Sequence, residues 1–193
     1  MEKFGNFLRA NIQDLQTRVE EALEVELGNI DILPLPKYIQ EWMAQAPPMS
    51  NFLRHVVKII GTCYIYSAEL FFGNAKAGNS TIYYSRGPQV LIMSDRAMTE
   101  AGLHELVHIA HARLMGRPVS DILSVPEYIT EGFAMHVARR ITQNELGLKT
   151  PSLFWSFGLS SYHGHYKKFE EEILRKGVTD YKQLKDMVLS YRI

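Results

Sequence analysis

The pentad His104-Glu105-Leu106-Val107-His108 constrains this chain more than any other stretch. It sits in an apolar run, residues 103–110, that no glycine or proline interrupts, so a helix is expected there. On an α-helix, residues four apart share a face, with Cβ atoms roughly 5–6 Å apart. Two imidazoles so placed can hold one zinc ion. Glu105, beside them, can take a proton from water that such a metal activates. The plainer reading is a helix with two ordinary histidines and a solvated glutamate. A third ligand separates the two readings.

That ligand has to offer nitrogen or oxygen, because the single cysteine, Cys63, is far from the pentad. A lone cysteine also excludes an internal disulfide framework and fits a reducing compartment. The N-terminal residues 1–27 have no continuous apolar core and carry many charges, so they do not read as a signal peptide, and a cytoplasmic location is expected. With 193 residues the chain is long enough for one domain with a real core. Its 46% hydrophobic and 22% charged residues suit a globular protein. A formal net charge of +0 gives no overall pull toward nucleic acid.

Ser94 or Asp95 is a plausible N-cap for the pentad helix, and Gly116 with Pro118 beyond it ends it. Val107, Ala110 and Leu114 supply its packing face. His111, one turn after His108, is a rival ligand; it is read as a partly exposed helix residue. The third ligand is expected from residues 124–140. There Ser124 and Glu127 form a capping-box pattern around Pro126, which gives Glu127 a structural role. One turn later Glu131 precedes Gly132, whose missing side chain lets two helices approach closely. A glutamate on a second helix facing the two histidines completes a His₂Glu site with an open fourth position.

Glu131-Gly132-Phe133-Ala134, preceded by Pro126, resembles the second motif of the gluzincin metallopeptidases. These include thermolysin-like and aminopeptidase-like enzymes, and the pattern is most similar to small peptidase MA-like members. The similar stretch runs over residues 89–191, about half the chain. The resemblance implies an α+β, zincin-like domain: a small sheet packed on active-site helices and a mostly helical C-terminal part. It implies zinc-dependent hydrolysis of peptide bonds in a peptide or protein substrate. His104, His108 and Glu131 would hold Zn²⁺, and Glu105 would act as general base.

The chain also departs from the family. Many aminopeptidase-like relatives place the ligand glutamate closer to the second histidine, where Glu127 stands here. Glu131 is preferred because the Glu-Gly-Phe-Ala context moves with the ligand while connecting loops vary. Met135 occupies the position of a thermolysin-like aspartate, so the group that orients a histidine is unidentified, and His136 is a candidate. These departures keep open an alternative: a gluzincin-fold module that binds metal or a partner and hydrolyses weakly or not at all. Such enzymes also need a donor for the oxyanion, and the resemblance makes Tyr162 the first candidate and His165 the second.

Elsewhere the pattern is structural. Phe4, Leu8, Ile12, Leu15, Val19, Leu23 and Leu27 recur at helical spacing, giving an amphipathic helix that ends near Gly28. It is expected to lie on the core; a latch over the substrate groove is the sharper option. A short strand is expected at residues 30–33, a helix at 37–45, and a breaker around Pro47-Pro48. These prolines allow residues 1–50 to be an N-terminal helical appendage or the first part of one unit with 51–193. Residues 56–72 are strongly apolar but interrupted, too short for a span, and read as buried. Residues 73–78 look flexible. Strands are expected at 80–85 and 89–93, joined by Arg86-Gly87-Pro88, with the first an exposed edge able to receive a peptide. Residues 156–161, with Phe154 and Trp155, are expected to line the pocket. A helix at 167–176 ends at Gly177, and Thr179 is expected to cap a last helix.

Overall fold

The computed structural model describes residues 3–35, 37, 75–84, 93–147 and 160–191. The expected features at residues 38–45, 56–72, 86–92 and 154–159 lie outside the described residues. Within it, helices dominate and one small sheet packs against them, an α+β arrangement.

Helix α1 (Lys3–Leu23) presents Phe4, Leu8, Ile12, Leu15, Val19 and Leu23 as one buried stripe. It stops before the expected glycine. Glu24 adopts φ 50, and the side chains of Gln16 and Glu20 catch the outgoing backbone at Gly28 and Leu27. Gly28 then turns the chain with φ 71.

Three strands follow: β1 (Asp31–Pro34), β2 (Ala75–Ala77) and β3 (Thr81–Tyr84), in the order β1-β3-β2. β1 runs parallel to β3, from Asp31↔Thr81 to Pro34↔Tyr84, and β2 runs antiparallel, with Ala77↔Ile82. Two expectations change here. The strand expected as an exposed edge is the central one, with Ile82, Tyr83 and Tyr84 buried. The stretch expected to be flexible contains β2, because small alanines tuck against the tyrosine-rich β3 despite poor intrinsic strand preference. Tyr84 also fixes α1 to the sheet. Its hydroxyl accepts from Arg9 Nη2 at 2.9 Å, and its ring fills the space where a Cβ on Gly5 would stand.

Helix α2 (Asp95–Met115) carries the pentad. Ser94 caps it by accepting from the Ala97 amide, and Gly116 at φ 64 closes it. The Gly116 and Arg117 amides bond Arg113 and Ala112 carbonyls, the Schellman pattern. Residues 96–112 of this helix are buried on every side, as befits a central element. α1 packs on it at Gly102, where a Cβ would come within 2.8 Å of Leu8 Cδ2. Residues two apart on a helix do not share a face, so α1 does not cover the imidazoles as a latch.

A 3₁₀ turn (Val119–Ser124) leads into α3 (Glu127–Arg140), and a π-turn (Ile141–Glu145) follows it. Glu127 is the first residue of α3, with Pro126, in place of the expected Ser124, in the cap position and no side-chain cap hydrogen bond from it. Helix α4 (Ser160–Lys176) starts before the sequence suggests and takes in Gly164. It crosses α3 where Phe169 occupies the space beside Gly132. Gly132 therefore admits α4, rather than bringing α3 onto α2. Asp180, not Thr179, caps α5 (Tyr181–Leu189), accepting from Gln183 N at 2.8 Å. Lys185 of α5 reaches back to the Leu23 carbonyl and Glu24, tying the last helix to the first. Among the described residues, no helix is long and apolar enough to cross a membrane.

Candidate metal centre

The site is built where α2 and α3 meet. His104 and His108 project from adjacent turns of α2, and Glu131 from the first turns of α3. His104 Nε2 and His108 Nε2 are 3.0 Å apart. Glu131 Oε2 lies 3.2 Å from the first, and Glu131 Oε1 lies 3.5 Å from the second. A tetrahedral cation with bonds of about 2.0–2.1 Å holds its ligand atoms roughly 3.3 Å apart. The three separations bracket that spacing, so this group could bind one metal ion. Glu131 Oε2 is moreover buried and receives no hydrogen bond of good geometry. A ligand oxygen facing a cation's place has this environment.

The imidazoles meet edge to face, with centroids 4.6 Å apart and planes at 86°. Burial opposes the charge on Glu131, but the adjacent His108 and His104 rings outweigh it and hold its carboxyl well below the usual range. Burial likewise opposes charging His108, yet Glu131 and Glu105 together raise it. The cluster thus favours a carboxylate beside imidazoles, the charge pattern that a cation would replace.

Glu105 is 8% exposed and turns to the β2 side of α2. Burial, the largest influence, raises its pKa; the two histidines and a hydrogen bond from the Ala77 backbone amide pull it back. A raised carboxylate is a stronger base than a free one, the direction a proton acceptor needs.

The other candidates divide. Glu127 stays out of the cluster: its side chain is 71% exposed, and His165 Nε2 lies 3.5 Å from it. His165 thus meets α3 at Glu127, one helical turn before Glu131 in the sequence. The Tyr162 backbone belongs to α4, but its side chain lies outside the described residues. His136 turns to α4, where its Nδ1 bonds Glu170. Met135 is buried. His111 is not partly exposed: its exposure is 0%, its ring packs edge-on against Phe133 at 5.4 Å, and neither nitrogen has a hydrogen-bond partner.

Sequence reasoning missed two features. The Ala77 amide could not be placed because a backbone donor leaves no mark on residue identity. The buried ion pair of Arg96 with Glu100, at 2.9 Å, was legible as an i,i+4 pair on the His104 face but was passed over. No protein-family model, curated protein or solved structure matches the chain, so the geometry of the site is what its function is argued from.

Proposed function

We propose that the protein is a zinc metallopeptidase of the gluzincin kind, built on a zincin-like domain. The observation that carries this reading is the convergence of His104, His108 and Glu131, with ligand atoms within 4.8 Å of one another, beside a buried Glu105. Nitrogen and carboxylate donors in a three-ligand set suit a catalytic zinc ion with an open fourth position. Zinc held there supplies Lewis acidity toward a carbonyl oxygen and toward water.

The chain supplies the rest. The Glu105 carboxylate takes a proton from water and returns it to the amine nitrogen that leaves. Glu131 contributes negative charge to the ligand set while its neighbours keep it ionised. Tyr162 is the first candidate to donate to oxyanion charge, and His165, which meets Glu127, is the second.

Metal analysis tests the ligand set. Wild type and Glu127→Ala should each bind one equivalent of zinc, whereas Glu131→Ala should lose most of it. Glu105→Gln should keep its zinc and lose at least about a hundredfold in turnover of a broad peptide library. Full peptidase activity in that variant would remove the mechanism.

A second reading is supported by the buried Met135, which leaves α3 without a carboxylate one turn beyond Glu131. On that reading the domain binds metal and hydrolyses nothing. Stoichiometric zinc without cleavage of the library would favour it.

A further inference from the structure

We propose that the cleft at the C-terminal end of α2 is an anion site that holds a carboxylate or phosphate, and that an acidic side chain of the substrate is its occupant. The cleft measures about 450 Å³, within the range of small-ligand sites. Arg113 and Arg117 at the helix end and Asn79 of the β2–β3 turn line it, with Ala112, Gly116 and Pro118 as its walls. Among the described residues that line it, none is acidic. Its chemistry follows from the polar groups that the fold already uses. The Ala112 and Arg113 carbonyls accept from the Gly116 and Arg117 amides in closing the helix. Asn79 Oδ1 accepts from the Val119 amide at 2.8 Å. Pro118 has no N–H to place. The acceptors of the rim are thus engaged, while two guanidinium groups and the Asn79 amide nitrogen bring donors to the cleft. A planar guanidinium fork matches the paired oxygens of a carboxylate or phosphate. Answering the helix dipole takes one cation in the last turn, which Arg113 provides; Arg117 stands past Gly116 and makes a second.

Position ties the cleft to the metal centre. Helical periodicity puts Ala112 and Gly116 close to two and three turns beyond Glu105, on one stripe of α2 and roughly 10 and 16 Å along its axis. β2 packs on α2 and ends at Ala77, just before the turn that carries Asn79. An extended peptide covers about 3.3 Å per residue, so that distance corresponds to about three to five residues. With a substrate carbonyl at the metal centre, an Asp or Glu that many positions away comes within reach of Arg113. The substrate assignment rests on the peptidase reading above; anion binding by the cleft does not.

Titration of the full-length, metal-free protein at low ionic strength, followed by backbone amide NMR shifts, tests the cleft. The probes are inorganic phosphate and a blocked peptide carrying Glu, with its Gln counterpart as control. Phosphate and the Glu peptide should shift the Gly116 and Arg117 amides, and the Gln peptide should not. Arg113 is exposed, so Arg113→Gln should keep the fold and weaken binding about fivefold, and added salt should weaken it further. No shift with phosphate or the Glu peptide, or equal affinity in Arg113→Gln, would overturn the anion site. With zinc bound, cleavage decides the occupant. kcat/KM should be about fivefold higher with Glu than with Gln at about three to five residues from the cleaved bond, a preference that Arg113→Gln removes. Equal cleavage of both peptides, with phosphate still bound by the cleft, would overturn the substrate assignment and leave the site to a free anion. Wild-type protein that cleaves no peptide overturns the peptidase reading and the substrate assignment together, whereas the shift measurement decides the cleft by itself.

Discussion

His111 is held in a state that its pKa exposes to pH. Burial, aided by the nearby His108, pushes its pKa down to about 4 from an ordinary value of 6.5. A histidine depressed on folding contributes full stability above its unfolded pKa, and that contribution is lost as pH falls toward the folded value. The window is therefore about pH 6.5 down to about 4. Between pH 7 and pH 5 the metal-free protein should lose about 2 kcal/mol on this account. Urea unfolding at both pH values should show the loss in wild type and remove most of it in His111→Leu. An equal loss in both proteins would place the pH dependence elsewhere. His111 also marks the reach of sequence at this scale. His104, His108 and Glu105 are readable because their relation is local to one helix. Whether position 111 faces water depends on Phe133 arriving from α3, which no local pattern records. The choice of Glu131 over Glu127 was open to sequence only through neighbouring residues, and the structure brings Glu131 to the imidazoles.

Among the elements, the α3–α4 crossing matters most for the site. Phe169 fills the place of a Gly132 side chain, so α4 braces the helix that delivers Glu131. Gly132→Ala should overpack this contact and destabilise the fold by about 2 kcal/mol, read from the urea midpoint. Because α3 has to shift to relieve the clash, zinc affinity should fall as well. A variant with wild-type stability and affinity would show that the crossing is slack. Sequence marked Gly132 as a close-approach position without naming the neighbour, since a missing side chain says nothing about what fills the gap. The sheet was harder. β1 was visible as a short apolar run, whereas β2 has only Ala-Lys-Ala and forms because β3 offers it a partner. The central place of β3 follows from β1 joining across a long intervening segment, a relation with no local trace.

At the scale of the molecule, the core is continuous from α1 through α2 to α3, α4 and α5. Removing residues 1–27 would strip Phe4, Leu8, Leu15, Val19, Leu23 and Leu27 from it. The truncated chain should lose cooperative unfolding, followed by circular dichroism, and show no rise in activity; a folded, more active product would restore the latch idea. The alternation of α1 was plain in the sequence, but its target was not. That target is the Gly102 side of α2, the helix that α3 and strands β2 and β3 also pack against.

α2 brings Arg96, Glu100, His104, His108 and His111 into the interior together. Ionisable groups at that depth are costly unless matched, and a cation between His104, His108 and Glu131 would match three residues at once. Metal binding and folding should then be linked, with chelation lowering the melting temperature by roughly 5–10 °C and added zinc restoring it. An unchanged melting temperature would mean that the interior tolerates its charges unaided. The half-life of this protein would accordingly follow trace-element supply. In a cell starved of the ion, a larger fraction would open and be cleared by proteolysis, and abundance would fall before any catalytic defect could be measured.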